Sequence, residues 1–299
     1  MKKLLFIYNP YSGKSQIRGH LTDILNQFIA AGYTVMIHPT QGPADATRVV
    51  QLRGALVDRI VCSGGDGTLN EVISGIMAIP REQRPSLGYI PAGTTNDFAR
   101  SMKIPFQMED AAKIAVTGEP FLIDVGRVND SYFSYVFGFG AFTDISYATP
   151  QERKKALGHP AYVLEAIRNL SELKSYRVKV SWADQVVEDK FLLGMVSNSY
   201  SVAGMKGLWG EDIRLDEGEF EVTLIKEPLN IKAWAEMPTA LISNKNGINE
   251  NVLRFKASRI RFEAQEDINW VKDGEFGGTL KQAVIQNLQQ AITIIKKGE

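Results

Sequence analysis

The sequence predicts an α/β protein in two domains: a doubly wound parallel sheet over residues 1–125 and an antiparallel β-sandwich over residues 126–299. Apolar strand runs alternate with amphipathic helical patterns as far as Asp124, a rhythm that builds a parallel sheet with helices on its faces. Beyond Asp124, short β-rich runs follow one another, broken by Gly, Asn or Asp, as antiparallel strands are. At 299 residues the chain is also longer than one core usually serves.

Residues 3–8 form the first apolar run, which stops at Asn9-Pro10. Ile17, Leu21, Ile24, Leu25, Phe28 and Ile29 then recur at helical spacing until Gly32. A strand over 33–38, a helix over 44–52 after Pro43, and a strand over 59–62 follow. The pattern continues with a helix over 68–78, a strand over 87–90 and a helix from Asn96. Ligands of such sheets bind beyond the carboxyl ends of the strands. The loops 9–14, 64–68 and 91–97 should therefore share one rim. In the second half, 125–128, 132–137, 177–182, 187–196, 220–225, 259–263 and 292–295 read as strands, interrupted by one helix over 160–173.

Composition narrows the partners. Net charge is zero, so no global field recruits nucleic acid. The single cysteine, Cys62, forms no internal disulfide, which suits a cytoplasmic protein. The apolar start is too short for a signal peptide, and no run approaches a membrane span.

Gly64-Gly65-Asp66-Gly67-Thr68 is the most informative segment. Its glycines let the backbone turn tightly and present bare N–H groups to an anion. Thr68 with Glu71 reads as a capping box opening the next helix. Asp66 makes sense among phosphates when Mg²⁺ lies between them. Asn9-Pro10-Tyr11-Ser12-Gly13-Lys14 ends like a P-loop, but Tyr8 stands where that pattern needs glycine. It is either a polar turn whose Asn9 and Ser12 bond phosphate or neighbouring loops, with Lys14 adding charge, or an ordinary βα turn.

Pro91-Ala92-Gly93-Thr94-Thr95-Asn96-Asp97 is a second wall for that site or a helix cap. Asp97, Arg100 and Asp124 are ion-pair partners, in the scaffold or in the chemistry. Asp273-Gly274-Glu275 is a hairpin turn, or it aims a carboxylate that accepts a hydroxyl proton. Asp212, Asp216, Glu217 and Glu219 surround Gly218 as metal ligands or as a solvated turn. Arg153, Lys154, Lys155, Arg168, Lys174, Arg177 and Lys179 make the 150–180 region basic, for anionic headgroups or as a solvated face. The three histidines, His20, His38 and His159, lack metal-ligand spacing.

Together, Asn9-Pro10-x-Ser12-Gly13, Gly64 to Glu71, Pro91-x-Gly93-Thr94-x-Asn96 to Arg100, and Asp273-Gly274-Glu275 resemble the diacylglycerol kinase catalytic family. That family includes bacterial soluble lipid kinases and the sphingosine and ceramide kinases; its Gly-Gly-Asp-Gly-Thr motif is shared with NAD kinases and phosphofructokinases. The resemblance implies an ATP-dependent lipid kinase with the nucleotide held between the two domains. Asn9, Pro10, Ser12, Gly13, Lys14, Thr40, Gly64, Gly65, Asp66, Gly67, Thr68 and Thr94 would line the ATP site. Asp66 would reach catalytic Mg²⁺ through water. Asp273 would be the general base on the lipid hydroxyl, supported by Glu275, while Asp97, Arg100, Asp124 and Lys14 form a structural ion-pair network.

A structural Mg²⁺ site is also implied. Its matching stretch holds Arg214, Asp216, Glu217 and Glu219, with Glu217 where the family has aspartate. The resemblance further implies a homodimer that meets diacylglycerol, as a peripheral protein, at the inner membrane face. The alternatives are an NAD kinase-like enzyme for a soluble substrate, and a non-catalytic module that senses nucleotide or lipid.

Overall fold

A computed structural model describes residues 2–13, 17–140, 174–199, 201–202, 205–206, 214–230 and 250–298. The chain divides into two compact units, Met1–Val125 with Leu288–Glu299, and Gly126–Asn287. Residues 288–299, expected in the second domain, thus belong to the first unit. The expected helix over 160–173 and the residues Lys14, Arg153, Lys154, Lys155, His159, Arg168 and Asp212 lie outside the described residues.

The first unit contains strands β1 (Lys2–Tyr8), β2 (Tyr33–Pro39), β3 (Arg59–Gly64) and β4 (Ser86–Pro91). Its helices are α1 (Ile17–Ala30), α2 (Asp45–Arg53), α3 (Asp66–Met77), α4 (Asp97–Ser101) and α5 (Met108–Thr117). All four strands pair in parallel, in the order β4-β3-β1-β2. The chain winds outward from β1 to β2, then outward again from β3 to β4. The order therefore reverses between β1 and β3, and the loops after those strands flank the switch point where such sheets bind ligands. Leu4 to Ile7, Ile60 to Cys62 and Ile90 are fully buried, as strands covered on both faces must be.

Two details differ from the sequence expectation. Helix α3 starts at Asp66 with Gly65 as N-cap and no capping side chain, so the Thr68–Glu71 capping box does not form. The Glu71 carboxylate instead accepts the Ala44 and Ala46 amides at 2.8 and 3.1 Å, capping α2. A cap from a neighbouring helix wins because α2 packs directly on α3. Glu71→Ala should therefore destabilise the fold by about 1–2 kcal/mol in urea denaturation, through a helix other than its own. Helix α5 was not expected. Its inward face is Met108, Ala111, Ala112, Ala115 and Val116, correctly spaced but too rich in alanine to stand out.

Strand β5 (Glu119–Val128) carries the chain into the second unit. There lie β6 (Ser131–Phe133), β7 (Val136–Gly140), β8 (Tyr176–Trp182), β9 (Gln185–Ser197), β10 (Ser201–Val202), β11 (Met205–Lys206), β12 (Phe220–Lys226) and β13 (Val252–Ala257). Two long strands follow, β14 (Arg259–Lys272) and β15 (Glu275–Lys296). Pairing within this unit is antiparallel. Strands β9 and β14 each pair with β7 through one half and with β8 through the other. The four therefore close around a core of Phe137, Phe139, Phe191, Phe262 and Trp270.

The end of β15 returns to the first unit, where Ile294 lies parallel to Leu87 of β4. Arg84 and Arg81 hold this segment by donating to the Ala291 and Gln290 carbonyls at 2.7 and 3.0 Å. Among the described residues no helix is long and apolar enough to cross a membrane.

Candidate active site

Three loops meet at the strand ends of the first unit. The Asn9 amide donates to Ser63 O at 2.8 Å, and the Asn9 side chain folds its own loop by accepting the Tyr11 amide at 2.9 Å. Its Nδ2 reaches Thr68 Oγ1 at 3.4 Å, tying the first loop to the second. The second and third loops join where the Ala92 amide donates to Gly64 O at 2.8 Å. A Cβ on Gly93 would lie 2.6 Å from Gly65 Cα, and one on Gly13 would lie 2.4 Å from Ala92 O. The loops thus touch backbone to backbone, and glycine is the residue that permits it.

Asn96 braces the third loop from a left-handed conformation, φ 53°. Its Oδ1 accepts the Gly93 amide and its Nδ2 donates to Gly93 O, both at 2.9 Å. Below it the buried Tyr89 hydroxyl donates to Gly64 O at 3.0 Å. Burial, with Asp66 and Cys62 nearby, pushes the Tyr89 phenol far up, so it stays a neutral donor. Neither Tyr89 nor Asn96 was singled out as a site residue from sequence. Asn96 lay within the motif, whereas Tyr89 looked like any core aromatic.

Of the expected nucleotide-site residues, all but Lys14 lie among the described residues. Asn9, Pro10, Ser12, Gly13, Gly64, Gly65, Asp66, Gly67, Thr68 and Thr94 all belong to these loops or to the first turn of α3. Thr40 is buried at the end of β2, its amide donating to Tyr8 O at 2.9 Å. Without a capping side chain, the first amides of α3 keep the anion-binding character of a helix N-terminus.

Asp66 accepts the Asp97 and Phe98 amides at 3.2 and 3.4 Å, so its carboxylate also starts α4. Asp97 and Asp124 are buried, and Asp124 accepts the Gln290 amide at 2.8 Å. Arg100, expected in an ion-pair network with them, instead donates Nε to Thr95 O at 3.1 Å and lies over the Phe106 ring. Its helix is only Asp97–Ser101, and both partners lie in the segments flanking it.

The expected metal loop is occupied by the chain's own cations. Arg214 pairs with Asp216 at 3.3 Å and Lys256 with Glu217 at 2.6 Å, while Glu219 is exposed. Among the described residues no group of three or more His, Cys, Asp or Glu could hold a metal. Two of the four expected side chains, Asp216 and Glu217, are thus ion-paired with Arg214 and Lys256.

Lys256 also lies 3.3 Å from Glu221 on the adjacent strand. Glu221 is buried, with Lys256 as its charged neighbour. Burial, opposed by Lys256, pushes its carboxyl up from 4.5 to about 7. Between those values the unfolded chain has released the proton while the folded one keeps it, so stability falls as pH rises through this window. Glu221→Gln should leave stability at pH 4.5 nearly unchanged and raise it at pH 8 by on the order of 1–3 kcal/mol, read by urea denaturation.

In the second unit, Asp273 and Gly274 form the two-residue turn between β14 and β15, with φ 49° and 81°. Two positive φ values at Asp-Gly make the hairpin turn expected from sequence. The same turn aims the Asp273 carboxylate inward, leaving the residue 3% exposed. Its Oδ2 accepts the Ser134 amide at 2.7 Å and the Ser134 hydroxyl at 2.9 Å. Its Oδ1 accepts the Tyr135 and Val136 amides at 2.9 and 3.1 Å. Burial pushes this carboxyl above its ordinary value, against the hydrogen bonds that pull it down. Glu275, beside it in sequence, is exposed. The Ser134 to Val136 donors carried no sequence signal, since they lie in an unremarkable apolar run far from Asp273.

The first unit thus carries a phosphate-type loop cluster, and the second carries a buried, upshifted carboxylate of the kind found at functional sites. Comparison with known proteins gives the family. Residues 3–128 match the sequence profile of the diacylglycerol kinase catalytic domain. The chain is 33% identical to the diacylglycerol kinase of Bacillus subtilis (strain 168), over 100% of its own length and 98% of that protein. It is also 33% identical to a diacylglycerol kinase of Staphylococcus epidermidis (strain ATCC 12228 / FDA PCI 1200), over 98% and 92%. A crystal structure of a diacylglycerol kinase from Bacillus anthracis str. Sterne matches with TM-score 0.77 and 27% identity, over 99% and 97%. The chain belongs to the diacylglycerol kinase family. It is a lipid kinase.

Proposed function

We propose that this kinase transfers the γ-phosphate of ATP to the hydroxyl of diacylglycerol, giving phosphatidate. The observation that carries the reading is the convergence of three glycine loops on the uncapped start of α3. Its amides suit the β- and γ-phosphates of a nucleotide, with Asn9, Pro10, Ser12, Gly13, Thr40, Gly64, Gly65, Gly67, Thr68 and Thr94 lining the site; Lys14 would join them on the strength of the sequence motif alone.

Asp66 would hold Mg²⁺ through water, a fit that needs only one carboxylate because the phosphates supply the other oxygens. When bound, the ion neutralises charge on the transferring phosphoryl group. Asp273 is the general base. It takes the acceptor O–H proton as that oxygen bonds to the γ-phosphorus, and the bond to the β-phosphate oxygen breaks to release ADP. Its upward-shifted carboxyl suits this task.

The domains would then be a doubly wound nucleotide domain and a β-sandwich that receives the lipid. Diacylglycerol does not leave a bilayer freely, so the enzyme meets it as a peripheral protein on the cytoplasmic face. A homodimer is the assembly the family resemblance suggests.

The test is Mg²⁺-dependent transfer of labelled γ-phosphate from ATP to micelle-dispersed diacylglycerol, monoacylglycerol, phosphatidylglycerol and sphingosine, with NAD as control. Label on diacylglycerol supports the reading. Label on another lipid replaces the acceptor, and label on NAD alone overturns the assignment.

A further inference from the structure

We propose that Ser134 is the positioning residue of the general base: its hydroxyl is the exchangeable donor to Asp273, and the acceptor hydroxyl takes its place on Oδ2. This rests on Asp273 being the base, as proposed above. A carboxylate offers about four lone-pair directions, two on each oxygen. Among the described residues, two donors already sit on each oxygen of Asp273. A proton cannot be taken from a substrate hydroxyl until one of these donors gives way.

Three of the four are main-chain amides at residues 134–136, and they cannot leave cheaply. Val136 pairs with Ser197 in β9, and its carbonyl accepts the Asp273 amide at 2.9 Å, so the contact with Asp273 is reciprocal. The Ser134 hydroxyl is different, because it turns about its own side-chain bonds without moving the strand. It is also an acceptor, so it can receive a hydrogen bond from the incoming hydroxyl as it gives up its own. Ser134 is 2% exposed and thus holds Asp273 where water does not compete. Among the described residues, the other titratable groups at the turn are Tyr135, whose hydroxyl approaches Gly274, and Lys272 and Glu275 on the hairpin itself. The Asp273 ionisation is governed by burial and by the donors of 134–136.

The measurement is a ¹³C titration of aspartate-carboxyl-labelled protein, with the Asp273 signal assigned by its loss in Asp273→Asn, alongside the pH profile of kcat/KM. Ser134→Ala removes a donor to the ionised form. It should raise the Asp273 midpoint and the acidic limb of kcat/KM together, by about one pH unit. Ser134→Thr, which keeps the hydroxyl, should restore both.

A folded Ser134→Ala whose midpoint and limb stay at the wild-type position overturns the proposal and leaves Ser134 a structural contact. Should that variant fail to fold, Ser134→Cys keeps the volume with a weaker donor, and the same upward shift is required of it. Loss of turnover in Asp273→Asn with no shift in the serine variants removes this proposal alone. Full turnover in Asp273→Asn removes the base and this proposal with it.

Discussion

Asp273→Asn is expected to lower kcat for lipid phosphorylation by about 10²–10⁴-fold, the span of a lost general base. Nucleotide affinity should stay near that of the wild type, because the expected ATP-site residues lie in other loops. Both Asp273 oxygens accept two hydrogen bonds, so the asparagine amide can satisfy only one pair of those donors. It sets its NH₂ against the other pair. A loss of stability of about 1–3 kcal/mol should accompany the kinetic loss. The two effects separate when turnover is measured well below the melting temperature of the variant and ATP binding by calorimetry. Near-normal kcat in folded Asp273→Asn would take Asp273 out of the mechanism.

Gly93→Ala is expected to weaken ATP binding by about 5–100-fold, the equivalent of roughly 1–3 kcal/mol of overpacking. The added methyl would stand 2.6 Å from Gly65 Cα and 2.7 Å from Asn96 Oδ1. The first contact pushes on the N-cap of α3, and the second on the amide that braces the third loop. The first neighbour is backbone and the second is an amide pinned by two hydrogen bonds to Gly93, so the strain must move the loops that line the site. Gly19→Ala is the control: it sits in α1 with open space around it and should be neutral or slightly stabilising. If Gly93→Ala binds ATP as tightly as the wild type, the loop cluster is not the nucleotide site.

The first unit was largely legible because its signals are local. Residues 3–8, 59–62 and 87–90 are apolar runs that end in glycine, proline or asparagine, and they became β1, β3 and β4 with the anticipated loops behind them. What escaped was non-local or weakly hydrophobic. Glu71 fits a capping box by spacing, yet it caps residues 25 and 27 positions earlier in another helix. Helix α5 hides because alanine gives little amphipathic contrast. The run over 292–295 was readable as a strand, but its partner Leu87 in β4 was not.

The candidate site divides in the same way. The glycine loops announce themselves, because tight turns and close backbone approach restrict the residue type. At Asp273 the hairpin and the inward carboxylate, posed as alternatives, are both present in one turn. The donors of residues 134–136 lie 137–139 residues away, and three of the four are main-chain amides, which no residue pattern encodes. Glu217, legible only as a metal ligand or part of a solvated turn, meets Lys256, 39 residues on, through a contact that no local pattern encodes.

Direct phosphoryl transfer to the lipid is tested most directly with ATP carrying ¹⁸O at every γ-oxygen, incubated with the wild-type protein, Mg²⁺ and dispersed diacylglycerol. Mass spectrometry of the lipid fraction should show phosphatidate bearing three heavy oxygens, with the diacylglycerol oxygen kept at the ester. A lipid fraction without labelled phosphatidate, while ATP binds and the protein is folded, would contradict the assignment of diacylglycerol as the acceptor.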